Sequence, residues 1–108
     1  MTKSIRMLFL GLGLVASSAL STAAIAAGDP QIGHDLARRW CSGCHLVDST
    51  TNGADAAPPF AAIAAKNAGD ETALRGWLAD PHPPMPNLDL SRVEIDDIIA
   101  YLMSMAPR

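Results

Sequence analysis

The stretch Cys41-Ser42-Gly43-Cys44-His45 decides how this chain folds, because it places two thiols three positions apart and an imidazole directly after the second. These are the only two cysteines in 108 residues. Each thiol of such a pair can add across one vinyl group of a haem to form a thioether, and the adjacent histidine can then ligate the iron. The motif therefore predicts a covalently attached c-type haem, with Cys41 and Cys44 as attachment sites and His45 as an axial ligand.

Three other uses of the two cysteines compete with haem attachment. A thioredoxin-like redox pair belongs in a βαβ unit, and the chain has no strand-like run rich in Val, Ile, Tyr or Thr. A structural zinc site takes four ligands and usually a second cysteine pair, which this chain lacks. A plain disulfide leaves His45 without a role. Haem attachment is the interpretation that uses all three side chains.

Residues 1–26 have the pattern of a cleaved secretory signal peptide. Lys3 and Arg6 precede an apolar run at 7–16, and Ala-Ile-Ala at 24–26 is the small-x-small site that a signal peptidase needs. An uncleaved anchor is the alternative, but a spanning helix needs about 20 apolar residues and hydroxyl side chains interrupt this run. We expect residues 27–108 to form one domain in the periplasm, without a stable membrane span.

The size and charge of the predicted mature chain limit the classes of cofactor and partner that it is expected to bind. A chain of 82 residues can bury only a small hydrophobic core, to which a bound cofactor can add apolar surface. Without Lys3 and Arg6, six basic residues remain against eleven acidic ones, a formal charge of −5 with histidine neutral. This balance argues against nucleic acid as a partner. We expect redox proteins as donor and acceptor, with a dehydrogenase or oxidase among the candidates, and a protein that is a monomer or a subunit of a redox complex.

Four short helices are predicted. The first begins at Asp29-Pro30, a good N-cap followed by a good first helical residue, and runs into Cys41. The second covers 60–66, and the third starts at Asp70 or Glu71 and stops before Pro81. An apolar stripe at helical spacing marks the first helix: Ile32, Gly33, Leu36, Ala37 and Trp40.

The last helix is predicted to begin after Ser91, which forms a capping-box pattern with Glu94, and to end at Pro107. Its apolar face carries isoleucines and Leu102, and the adjacent carboxylates Asp96 and Asp97 are expected to point away from that face.

A proline-rich segment at 81–86 carries the candidate for the second axial ligand. Four prolines remove four backbone donors and restrict φ, so the segment is a stiff loop. Met85 lies between two of these prolines, where no helical stripe accounts for it, and a thioether is a known haem ligand. His82 is the rival ligand, whereas Met103 and Met105 near the end of the last helix are expected to pack or lie at the surface.

These motifs together resemble the small bacterial class I cytochromes c, over essentially the whole predicted mature chain. The resemblance rests on the helix ending in Cys41-Ser42-Gly43-Cys44-His45, the Pro-Pro-Phe segment at 58–60, the Pro-Met-Pro loop at 84–86 and the last helix near Tyr101. It implies an all-α cytochrome c fold of about four short helices around one haem. It also implies that the first and last helices cross closely at Gly33 against Tyr101, and that the carbonyl of Pro58 accepts the other ring N–H of His45.

The predicted function is one-electron transfer, because histidine and methionine together fill both axial positions and leave no open site for a substrate. Two alternatives use the same cofactor: a haem enzyme or gas sensor with an open sixth position, and the cytochrome subunit of a dehydrogenase or oxidase complex. Trp77 is expected to pack in the core and Arg75 to be solvated, with contacts to a haem propionate as their alternatives. His34 is assigned no role.

Overall fold

The elements form where caps and apolar spacing place them. A computed structural model describes residues 27–49 and 55–108, and the predicted signal peptide lies outside these ranges. The described chain contains four helices and no strand: α1 (Pro30–Trp40), α2 (Phe60–Lys66), α3 (Glu71–Ala79) and α4 (Arg92–Met105). The all-α fold of four short helices predicted from the sequence is confirmed.

Both long helices begin at side-chain caps. The Asp29 carboxylate accepts hydrogen bonds from the backbone N–H groups of Gln31 and Ile32, at 2.8 and 3.2 Å. At α4 the Ser91 hydroxyl accepts from the Glu94 N–H, and the Glu94 carboxylate accepts from the Ser91 N–H at 2.8 Å. The capping box predicted there is therefore present, and local sequence alone sets where α1 and α4 start.

Helices α1 and α4 form the principal helix pair, and they cross at Gly33. A Cβ at this position would lie 1.9 Å from the Asp97 carbonyl oxygen and 2.9 Å from the Tyr101 Cβ. Only glycine allows so close an approach of two backbones. The crossing of Gly33 against Tyr101 that the resemblance implied is confirmed.

The expectation that Asp97 points away from the core is wrong. Its side chain is only 6% exposed, and its carboxylate accepts the Asp29 N–H at 2.7 Å, across 68 positions of sequence. Buried carboxylates need such partners, and this one meets the start of α1, where free N–H groups concentrate. Asp97 therefore ties the start of α1 to α4. Its neighbour Asp96 is partly exposed and pairs with Arg75, so Arg75 is not merely solvated.

The other helices pack on α4, and the shared core is small. Within α1 only Gly33, Leu36 and Ala37 of the predicted stripe are buried, whereas Ile32 and Trp40 are about half exposed. Among the described residues no helix is long and apolar enough to cross a membrane. The side chains that form the core come from all four helices and from the segment after α1: Leu36, Ala37, Cys41, Val47, Phe60, Ala64, Leu74, Ile95, Ile98, Ile99, Tyr101 and Leu102.

Candidate functional site

The two thiols and the imidazole lie on one tight turn that continues α1. The N–H groups of Cys44 and His45 both donate to the Cys41 carbonyl, at 3.2 and 3.0 Å. The Cys41 N–H itself bonds the Ala37 carbonyl at 2.8 Å, so the turn starts from the last hydrogen bonds of the helix. Neither cysteine is in a disulfide. The end of α1 thus presents two free thiols.

The two thiols differ in environment. Cys41 is buried beside the core, whereas Cys44 is exposed. Burial disfavours the thiolate and raises the pKa of Cys41 to about 11. A thiol–disulfide exchange protein needs an attacking cysteine whose pKa is lowered, because the thiolate is the nucleophile. Cys41 therefore does not suit the thioredoxin-like alternative, and the fold offers no βαβ unit among its described residues.

His45 is oriented by the segment that begins α2. Its Nδ1 atom lies 2.6 Å from the Pro58 carbonyl oxygen, and a carbonyl can only accept, so Nδ1 carries the proton. The Phe60 ring packs against the imidazole with centroids 5.5 Å apart and planes at 68°. The remaining nitrogen, Nε2, therefore keeps its lone pair for a metal, as expected for a histidine ligand whose other nitrogen is held by a carbonyl.

Two backbone hydrogen bonds hold Pro58 in place against the turn. The Ala57 N–H donates to the Cys44 carbonyl and the Phe60 N–H donates to the Leu46 carbonyl, both at 2.9 Å. These bonds flank Pro58 on either side in the sequence. These two bonds therefore fix the position of the Pro58 carbonyl that accepts the hydrogen bond from His45.

A second group of side chains, whose contacts sequence reasoning missed, holds the segment after the motif. The Tyr101 hydroxyl donates to the carbonyl of fully buried Val47 at 2.6 Å. His34, to which the sequence analysis assigned no role, packs on the Tyr101 ring with ring centroids 5.0 Å apart. Its Nε2 atom lies 3.1 Å from the Asp48 Oδ2 atom. Burial, and then the charge of Asp48, raises the pKa of Tyr101, so its hydroxyl stays protonated and donates. Only the aromatic at 101 was signalled beforehand.

Met85 belongs to a different part of the chain, the loop between α3 and α4. It is partly buried, and its N–H donates to the His82 carbonyl at 3.0 Å. His82 is exposed and its ring meets the ring of Trp77. Trp77 is 50% exposed, so the expectation that it packs in the core is wrong. The structure joins Cys41, Cys44, His45 and Pro58 directly, and it places Met85 on its own short turn.

The residues present fit a covalently bound haem. The chain offers two free thiols on one turn, an imidazole whose Nδ1 is already engaged, and a thioether on a proline-stiffened loop. Hard-cation sites are built from carboxylates and carbonyl oxygens instead, and structural zinc takes four Cys or His ligands. Soft sulfur and imidazole are the side chains from which c-type haem sites are made.

Comparison with known proteins gives an independent result. The chain is 42% identical over 98 residues to cytochrome c-552 of Bradyrhizobium diazoefficiens, and the alignment covers 90% of this chain and 94% of that protein. No family model matches the chain, and no solved structure matches it.

Proposed function

This chain belongs to the small class I cytochromes c, and from that premise we propose that it is a periplasmic one-electron carrier with one covalently attached haem. Cys41 and Cys44 hold the haem, and His45 and Met85 are its axial ligands. The observation that carries the proposal is the turn at 41–45, where two free thiols precede a histidine whose Nδ1–H donates to the Pro58 carbonyl. The protein transfers electrons and is not an enzyme.

Bound haem supplies an iron that accepts and releases one electron, and the chain supplies everything that tunes and encloses it. The sulfur atoms of Cys41 and Cys44 would form the two thioethers and hold the cofactor at the end of α1. Because this turn continues a helix that crosses α4, the attachment point is rigid.

His45 acts through its two nitrogens in different ways. Nε2 is the ligand, and Nδ1–H donates to the Pro58 carbonyl, which keeps the ring in one tautomer and one orientation. Phe60 limits rotation of the imidazole by packing against it. A ligand held in this way changes little between the two oxidation states, so electron transfer needs little rearrangement of the protein.

Met85 would hold the iron through its thioether sulfur, as the second protein ligand beside His45. A thioether favours the ferrous state relative to a second imidazole, so His/Met ligation raises the reduction potential. With both axial positions filled by the protein, peroxide, oxygen and organic substrates have no open site. This separates a carrier from a haem enzyme or gas sensor.

The first 26 residues support the periplasmic location. Their basic start, apolar run and small-residue cleavage site form a secretory signal, and haem attachment to thiols takes place after export. The described domain that follows holds no membrane-spanning helix. Its partners are redox proteins, with a dehydrogenase or an oxidase as candidates for the donor or acceptor.

Mass and colour of the exported protein test the proposal directly. Expressed in a host that matures c-type cytochromes, the protein should have the mass of residues 27–108 plus one haem under denaturing conditions, with a low-spin haem spectrum. Cys44→Ala should leave at most one thioether and sharply lower the yield of folded protein, because the cofactor completes a small core. Ser42→Ala, inside the same motif, is the matched control and should keep one haem. A colourless protein with the bare chain mass contradicts haem attachment.

The acidic surface leads to a prediction about partner encounter. With a formal charge of −5, the protein should react with a basic redox partner at a rate that falls as salt shortens the Debye length from about 30 to about 8 Å. Asp80 and Asp89 are both exposed and lie in the loop between α3 and α4 that carries Met85. Changing both to Asn should weaken this salt dependence. Stopped-flow rates over a salt series measure it. A rate indifferent to salt would indicate apolar recognition or a permanently docked subunit.

A further inference from the structure

Trp77 makes an aromatic contact outside the core. Its ring and the ring of His82 have centroids 4.7 Å apart and planes at 80°, an edge-to-face pair. Trp77 is half exposed and is not part of the hydrophobic core, and the pair with His82 is an aromatic contact that the described structure gives it.

His82 is mechanically linked to Met85. The Met85 N–H donates to the His82 carbonyl at 3.0 Å, which closes one turn. Prolines at 81, 83, 84 and 86 restrict φ at all positions of the segment 81–86 except those of His82 and Met85. The hydrogen bond and the restricted φ angles leave fewer torsions that can absorb a shift of the His82 backbone, so we expect Met85 to move with it.

Trp77 itself lies on a fixed support. Helix α3 is attached to the rest of the fold by buried Leu74 and by the pair between Arg75 and Asp96 of α4. Leu78, next to Trp77, packs partly against the core. The tryptophan ring thus connects a rigid helix to the loop that carries Met85.

We propose that Trp77 is a positioning residue for the axial ligand Met85, acting through its edge-to-face contact with His82. This inference rests on the proposed His/Met ligation. Without the contact, the loop spends more time displaced, and the sixth coordination position is open more often. In this role Trp77 acts on Met85 through His82.

The expected effect follows from the strength of one aromatic pair. An exogenous ligand that binds only after Met85 has left gains apparent affinity in proportion to the fraction of open protein. Loss of an edge-to-face pair should raise that fraction about two- to tenfold. The resting spectrum, which reports the closed majority, should stay that of the His/Met form.

Cyanide binding to the ferric holoprotein at fixed pH and salt tests the proposal. Trp77→Leu should raise the apparent affinity for cyanide about two- to tenfold, while Trp77→Phe, which keeps an aromatic ring, should stay within about twofold of the parent protein. Trp40→Leu is the matched control, because Trp40 is 53% exposed and lies on α1. Denaturant unfolding of each variant separates opening of the loop from general loss of stability.

A double variant tests whether Trp77 acts on Met85 through His82. His82→Ala should raise cyanide affinity by a similar factor, and His82→Ala with Trp77→Leu should add little to either change, because both remove the same contact. Equal cyanide affinities for Trp77→Leu and Trp40→Leu, or fully additive effects in the double variant, overturn the positioning role.

Met85→Ala tests ligation by Met85 separately from the role of Trp77. If this variant leaves the cyanide affinity unchanged, the proposed ligand is wrong. A large increase in cyanide affinity upholds Met85 as the ligand, whatever the Trp77 variants show.

Discussion

Met85→Ala should open the sixth coordination position and convert the ferric protein from a low-spin to a high-spin spectrum at neutral pH, because no other thioether is expected to reach the iron. The variant should also bind cyanide far more tightly than the parent protein, since no protein ligand has to be displaced first. Absorption spectroscopy and cyanide titration of the folded holoprotein measure both changes.

Two further variants make this prediction specific to Met85. Met85→His should keep six-coordination but lower the reduction potential, by a sizeable part of the roughly 0.8 V range over which axial ligands set haem potentials, because imidazole stabilises ferric iron better than a thioether does. His82→Ala should leave the axial spectrum unchanged. A spectrum that responds to His82→Ala and not to Met85→Ala would assign the ligand to the histidine instead.

Gly33→Ala should cost the holoprotein about 3 kcal/mol or more in free energy of unfolding, near the upper end for overpacked sites. The added Cβ would lie 1.9 Å from the Asp97 carbonyl oxygen, which is backbone and cannot rotate away. Helices α1 and α4 would have to separate, and the turn at 41–45 at the end of α1 would move with them. Denaturant unfolding followed by circular dichroism measures the loss.

Gly76→Ala is the matched control for this prediction. Gly76 is also inside a helix, α3, but a Cβ there meets nothing within 4 Å. Alanine is the better helix former by about 1 kcal/mol, so this substitution should leave stability unchanged or raise it. If the two variants unfold at the same denaturant concentration, the close crossing of α1 and α4 does not limit stability.

The parts of the fold that residue spacing alone predicted correctly depend on neighbours in the sequence, whereas the crossing of Gly33 against Tyr101 was implied by the family resemblance. Asp29 caps α1 through residues two and three positions ahead, and Ser91 and Glu94 cap α4 within one turn. Such contacts form whenever the local segment is helical, so residue types and spacing are sufficient to predict them. The turn at 41–45 is equally local, because five consecutive residues place its two thiols and its imidazole.

The errors concern side chains whose surroundings come from distant segments. Asp97 sits next to Asp96 and reads as part of a solvated face, yet it meets Asp29 across 68 positions and is buried there. Trp77 reads as a core residue from its helical spacing, yet the small core is filled without it and half of its surface stays exposed. Helical periodicity indicates which side of a helix is apolar, not how far the neighbouring elements extend over it.

By itself, the sequence determined the four helices, the caps of α1 and α4 and the spacing of Cys41, Cys44 and His45 on which the proposed haem attachment rests, because covalent spacing and one-turn hydrogen bonds set these features. Tertiary structure alone decided which groups support that chemistry: the hydroxyl of Tyr101 on the Val47 carbonyl, the imidazole of His34 beside Asp48, and the ring of Trp77 against His82. The bond from Tyr101 joins residues 54 positions apart. Such partners are selected by the crossing of α1 and α4 and by the packing of α3, which no local pattern encodes.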